Sequence, residues 1–156
     1  YSNDANWQAH YLTTAEEIWT QTKGKITHFV AGLGTTGTFV GTARRLKELG
    51  NVQLISLQPD HPFHPLEGWK HLATAHRPGI YDDTLADKTL VIDSSGVFDM
   101  IKSISIHERL FISPSGAANL LGALEVASQI KEGDIVTTLA DTLDRYQEVR
   151  KEIFGT

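Results

Sequence analysis

The sequence predicts an α/β fold: a mostly parallel sheet with helices on both faces, a three-layer, Rossmann-like arrangement. Two observations carry this. Short apolar or β-branched runs at residues 26–31, 52–57, 88–92 and 135–139 alternate with amphipathic stretches of helical length. Residues 26–57 also read as strand–loop–helix–strand, a unit that closes as a right-handed parallel crossover. At 156 residues, 40% apolar and 21% charged, the chain is sized for one globular domain whose core needs no metal or disulfide.

Along the chain, residues 3–12 mix turn formers with aromatics and read as a loop or short helical turn. Thr14-Ala15-Glu16-Glu17 has the spacing of a capping box, predicting a helix through about Thr22 with Ile18 and Trp19 facing inward. After the first strand comes a glycine-rich segment, then a helix over 38–49 with apolar residues at 39, 40, 43, 46 and 49, stopped by Gly50. Residues 58–87 are irregular, with four prolines and four histidines; a stretch like this in a compact domain is functional or packed on a neighbour. Helices over 95–107 and 115–130, a brief strand at 110–112 and a terminal helix over 144–154 complete the pattern.

Composition excludes several functions. Without cysteine there is no disulfide, thiolate metal site, iron–sulfur cluster or cysteine nucleophile. A net charge of −5 with scattered lysines and arginines argues against nucleic acid as a partner. No apolar run approaches the roughly 18 residues of a membrane span, and no signal peptide is visible, so a cytoplasmic protein without membrane contact is expected. The chain opens Tyr1-Ser2-Asn3 and its one methionine is Met100, which leads to the expectation that a segment upstream is missing. His61, His64, His71 and His76 share one loop, but no paired ligands accompany them at defined spacing, so no metal is assigned. No G-x-S-x-G elbow supports a hydrolase, and Asp82-Asp83 and Glu16-Glu17 read as turn and helix-start charges.

Gly32-Leu33-Gly34-Thr35-Thr36-Gly37 fits G-x-G-x-x-G between a strand and a helix. Glycines let backbone amides approach an anion, the helix starting near Thr38 adds its unpaired amides, and Thr35, Thr36 and Thr38 add hydroxyls. No lysine follows, which excludes a nucleotide-triphosphate P-loop. The pattern suits a phosphate held by amides and hydroxyls alone, or a tight turn with no ligand. A dinucleotide site remains a third possibility, although Gln58-Pro59 stands where its ribose-binding acid is expected, with Asp60 late.

Taken as a set, these residues resemble the pyridoxal-phosphate enzymes of the cysteine synthase and cystathionine β-synthase family, the fold-type II group. Tyr1-Ser2-Asn3-Asp4-Ala5-Asn6 with His10 and Thr13-Thr14 resembles its "[FY]xNPANxxxHxxTT" segment, and residues 28–48 its phosphate loop and following helix. His64-Pro65-Leu66-Glu67-Gly68 resembles its "HxIxG" loop at the active-site mouth. Residues 78–82 and 113–118 match further stations in order, and Asp141 to Tyr146 resembles the terminal "DSGDRY". Departures are Asp4 for proline, Ala15-Glu16 for Gly-Pro, Gly116-Ala117 for Ser/Thr-Gly and Thr142-Leu143 for Ser-Gly.

The resemblance implies pyridoxal 5'-phosphate as cofactor, its phosphate cradled by Gly34, Thr35, Thr36, Gly37 and Thr38, with Ser115 on the pyridine nitrogen and Gly68 in the substrate region. A hydroxyl leaves that nitrogen neutral and the ring a weaker electron sink, which suits β-elimination and β-replacement. Read without the family, Ser115 is a helix N-cap. The resemblance covers the C-terminal half of a family member. The Schiff-base lysine and the substrate-carboxylate loop belong to the other half, and none of the eight lysines here stands in the matching motif. The whole protein would make cysteine from an activated serine and a sulfur donor, as a homodimer. This chain alone would be inactive, holding no catalytic residue, or would act as a truncated phosphate- or partner-binding module.

Overall fold

A computed structural model describes residues 2–155. Tyr1, first residue of the N-terminal motif, lies outside the described residues. In chain order the elements are helices α1 (Ala5–Leu12) and α2 (Thr14–Gln21), strand β1 (Ile26–Gly32), helix α3 (Gly37–Leu49), strands β2 (Gln53–Pro59) and β3 (Lys88–Ile92), helices α4 (Val97–His107) and α5 (Pro114–Gln129), strand β4 (Asp134–Thr137) and helix α6 (Gln147–Phe154). All strands are parallel in the order β3-β2-β1-β4, with Val30 of β1 opposite Ile55 of β2 and Thr137 of β4. Among the described residues, no helix is long and apolar enough to cross a membrane.

Continuous apolar runs put β1 and β2 at the centre, because a strand covered on both faces needs apolar residues at consecutive positions. Phe29 and Val30 are adjacent, fully buried, and point to opposite faces. Phe29 meets Phe39, Val40, Ala43 and Leu46 of α3 on one face. Val30 joins Leu57, Leu90, Val97, Ile101 and Ala118 against α4 and α5 on the other. Each such side chain taken fully out of water contributes roughly 2 kcal/mol, so the two half-cores hold the layers together without a cross-link.

Several expectations are corrected. Most of residues 3–12 form α1 (Ala5–Leu12), a full helix that buries no residue completely yet packs along α3. Arg44 of α3 lies 4.4 Å over the Trp7 ring, Trp7 meets Tyr11 edge-on at 6.0 Å, and Tyr11 donates to Glu48 at 2.6 Å. The capping box does not form. With only Thr13 between α1 and α2, the Thr13 hydroxyl donates back to the Ala9 carbonyl at 2.7 Å and Thr14 falls inside α2, bonded to His10. The brief strand at 110–112 reduces to one antiparallel bridge between Ile112 and Thr142. The terminal helix splits into a 3-10 turn at Leu143–Arg145 and then α6.

The α1–α3 approach depends on Gly41, where a Cβ would fall 2.0 Å from the Trp7 carbonyl and 2.9 Å from His10 Cβ. Gly41→Ala is expected to push α1 off α3 and cost about 1–3 kcal/mol, the usual range for overpacking. Urea unfolding checks this against Gly96→Ala, whose new carbon has its nearest neighbour at 3.9 Å and which is expected to change stability by under about 0.5 kcal/mol.

Candidate cofactor site

In an open parallel sheet the ligand site lies beyond the carboxyl ends of the strands. Here that edge opens on a cleft of about 560 Å³. Of the residues the sequence singled out, Gly34, Thr35, Thr36, Thr38, Gly68 and Ser115 line it together. Gly37 sits behind them, buried, at the first position of α3; a Cβ there would fall 1.8 Å from the Asn6 side-chain oxygen.

The turn from β1 into α3 is shaped for an anion. Thr36 adopts the left-handed backbone (φ +72°), unusual for a β-branched residue, at the N-terminal boundary of α3. The helix's first backbone bond runs from the Val40 amide to the Thr36 carbonyl at 2.8 Å, so the amides before it have no helical partner. Thr36 is 2% exposed and its hydroxyl has no hydrogen-bond partner, an orphaned polar atom in the wall of a cleft. No lysine or arginine lines the cleft among the described residues. What this wall can hold is an anion bound by neutral donors and a helix dipole.

The flanking contacts come from α1 and α2, which no pattern in the loop itself indicates. Asn6 donates to the Thr35 hydroxyl at 3.2 Å. His10 bridges Thr38 (3.3 Å to Nε2) and Thr14 (2.9 Å to Nδ1), and burial pushes its pKa down, favouring the neutral imidazole. Opposite, the irregular stretch folds over the turn: the Lys70 amide donates to the Leu33 carbonyl at 2.8 Å, and a Cβ on Gly34 would fall 2.3 Å from the Gly68 carbonyl.

At the other end of the cleft, the helix cap is Ser113, whose hydroxyl accepts from the Gly116 amide at 3.2 Å. Ser115 is therefore not the cap that a reading of the residues alone suggests. Its hydroxyl lies 3.2 Å from that of Ser113, and it lines the cleft. Tyr146 donates to Asp141 at 2.7 Å, and burial, aided by that carboxylate, pushes the phenol up to about 12, so it stays protonated through the neutral range. The other Asp141 oxygen is buried without a partner. The dinucleotide alternative finds no free acid at the end of β2: Gln58 accepts from the Leu72 amide at 3.3 Å, and Asp60 accepts from the Ser94 hydroxyl at 2.7 Å.

Asn119 was not legible in the sequence. On α5 and 5% exposed, it accepts from the Gly32 amide at 2.8 Å and donates to the Thr138 carbonyl at 2.8 Å, fastening the end of β1 to the segment after β4. Its partners lie 87 and 19 residues away, beyond any local pattern. Asn119→Ala strands these groups and is expected to cost about 2–4 kcal/mol in urea unfolding; Asn119→Asp keeps the acceptor for Gly32 but turns a carboxylate on the Thr138 carbonyl, and is expected to be no better.

Comparisons with known proteins fit this geometry. The family described as "Pyridoxal-phosphate dependent enzyme" matches residues 1–141. Cysteine synthase of Aquifex aeolicus (strain VF5) is 41% identical over 151 residues, covering 94% of this chain and 46% of that protein. Cysteine synthase B of Escherichia coli (strain K12) is 35% identical over 147 residues, 94% of this chain and 48% of that protein. A crystal structure of a hydrogen sulfide-producing enzyme from Fusobacterium nucleatum superposes with a TM-score of 0.87 at 32% identity, covering 93% of this chain and 52% of that one. The chain thus spans about half the length of these relatives. Its parallel sheet and its matches agree: the chain belongs to the pyridoxal-phosphate dependent enzyme family, with the fold of the cysteine synthase-like, fold-type II members and pyridoxal 5'-phosphate as the family's cofactor.

Proposed function

We propose that this chain is the C-terminal, cofactor-binding half of a pyridoxal-phosphate-dependent β-replacement enzyme resembling cysteine synthase, which joins an activated serine to a sulfur nucleophile. The observation that carries the reading is the Thr36 hydroxyl, buried and partnerless beside the open amides at the start of α3. A phosphate supplies the acceptor this donor lacks, and the donor set is complete without a cation. The amides and hydroxyls of Gly34, Thr35, Thr36, Gly37 and Thr38 would hold it, and Gly68 would border the substrate.

The bound cofactor supplies an electron sink for the α-carbon of an amino acid. Ser115 would meet the pyridine nitrogen with a hydroxyl, which bonds without charging it; Ser113 takes the cap and can donate its own proton to Ser115, leaving the Ser115 proton for the ring. No lysine lines the cleft among the described residues, so the covalent anchor and the α-proton base are assigned to the N-terminal half. This chain alone then binds without turnover. The whole protein is read as a cytoplasmic homodimer whose small-molecule partners are the amino-acid substrate and the sulfur donor.

That same lack of a lysine favours, as a second reading, a non-catalytic module that holds a phosphate ligand or a partner chain. Coding sequence upstream of Tyr1 with an S-x-K-x-R-like lysine motif supports the enzyme; an unrelated sequence supports the module.

Pyridoxal 5'-phosphate is expected to quench tryptophan fluorescence saturably, with pyridoxal lacking the phosphate binding far more weakly and no lysine-linked visible band forming. Thr36→Val is expected to weaken the phosphate form about tenfold, near 1.4 kcal/mol. Equal binding of the two forms, or an unaffected Thr36→Val, contradicts the assignment.

A further inference from the structure

Between β2 and the cleft, the chain makes a rim loop fixed at three places. At its start Asp60 accepts from the Ser94 hydroxyl at 2.7 Å and the Ser94 amide at 3.3 Å. At its middle Leu66 is fully buried among the residues between the sheet and α4–α5. At its end the Lys70 amide reaches the Leu33 carbonyl beside the phosphate turn. Gly68 and Trp69, which line the cleft, hang between the second and third points, and the Trp69 amide donates to the Leu66 carbonyl at 3.1 Å. The seating of Leu66 therefore decides where this wall of the cleft stands.

Two histidines shape the loop through their rings. The Phe63 amide donates to His61 Nδ1 at 3.1 Å, and the Leu66 amide donates to His64 Nδ1 at 3.1 Å. An imidazole nitrogen accepts a hydrogen bond only with its lone pair free, so the Leu66 bond requires His64 to be neutral with its proton on Nε2. Each ring replaces the acceptor that an Asx side chain supplies to the amide two residues on. Unlike an Asx side chain, it loses that capacity on gaining a proton.

We propose that His64 makes the rim loop a pH-dependent clamp on the cleft, closed while its imidazole is neutral and released when protonation sets N–H against the Leu66 N–H. The clamp itself stands apart from what the cleft binds; its effect on cofactor affinity rests on the phosphate reading above. The ionisable groups acting on His64 are His61, His71 and Asp60, with Asp93 beyond, facing His61 and Asp60. Burial and the two histidines push the His64 pKa down, opposed by Asp60. The closed loop thus prefers the neutral ring, and the open loop binds more protons just below the ordinary value of 6.5. Closure is then fully favoured above about 6.5 and weakens as pH falls through that value towards the lowered one.

The direct readout is amide hydrogen exchange at Leu66 in the wild-type chain, expressed as protection relative to the unstructured rate, alongside the pH titration of the His64 ring by NMR. Protection at Leu66 is expected to fall about tenfold between pH 7.5 and 5, with the midpoint following His64. His64→Asn keeps an acceptor two residues before Leu66 but does not titrate, and its Leu66 protection is expected to be flat over that range. In the same two proteins, pyridoxal 5'-phosphate affinities are expected to agree at pH 7.5 and to diverge severalfold at pH 5, the wild type weaker; the ligand's own titration is common to both. Leu66 protection that does not change with pH in the wild type, or that falls equally in His64→Asn, overturns the clamp. A Leu66 transition in a chain that binds no pyridoxal 5'-phosphate at any pH supports the clamp and removes the cofactor reading instead.

Discussion

The mouth of this molecule depends on the close approach of two backbone segments, the turn from β1 into α3 and the loop that returns over it. The Lys70 amide bonds to the Leu33 carbonyl at 2.8 Å, and the Gly68 carbonyl lies 2.3 Å from where a Cβ on Gly34 would be. Neither segment is regular structure, so local turn bonds leave some of its polar groups over, and the Leu33 carbonyl finds its partner across the gap in the Lys70 amide. That bond, with the close approach of Gly68 to Gly34, sets the rim loop against the start of α3 and makes the junction one wall of the cleft. Without the rim loop the turn would still exist, but one side of the cleft would not.

Around this contact the rest of the fold acts as a support. The two half-cores hold β1 between α3 and the α4–α5 pair, which aims the end of β1 at the cleft. Asn119 ties that end to the segment after β4, and α1 braces the turn from the other side through Asn6 and His10. The side chains lining the cleft are mostly neutral donors; its carboxylates, Glu67 and Asp141, sit away from the glycine turn in sequence. In the proposed cradle an anion would be held by oriented amides and hydroxyls, whose strength depends on exact placement more than on charge. That dependence is why supports as distant as α1 and α5 matter to it.

The parts of the fold legible in the sequence are those governed by local pattern. Consecutive apolar residues marked β1 and β2 because a two-sided strand has no polar face, and the 3.6-residue spacing from Phe39 to Leu46 marked α3. The glycine turn was legible because its spacing and its place between strand and helix are local facts. What was not legible is set by tertiary partners. Helix α1 has little apolar face of its own; Arg44 and Gly41 on α3 give it a surface to lie on. The Thr14 box failed because α1 ends one residue before α2 and His10 takes the threonine hydroxyl. Ser113 outcompeted Ser115 for the cap because Pro114 occupies the first helical position, which places the residue before it at the boundary. Asn119 belongs to the same class, a polar residue on a helix whose role exists only once the sheet has formed.

We propose that residues 34–38 form an anion cradle built from neutral donors. Amide chemical-shift mapping of the isotopically labelled chain during a pyridoxal 5'-phosphate titration tests it most directly. Saturable shifts are expected, largest at the amides of Gly34, Thr35, Thr36, Gly37 and Thr38, with inorganic phosphate moving the same set at higher concentration and Ser115 responding to the pyridoxal form alone. Shifts centred on the exposed Arg44–Lys47 surface, or none at residues 34–38 at saturation, would contradict it.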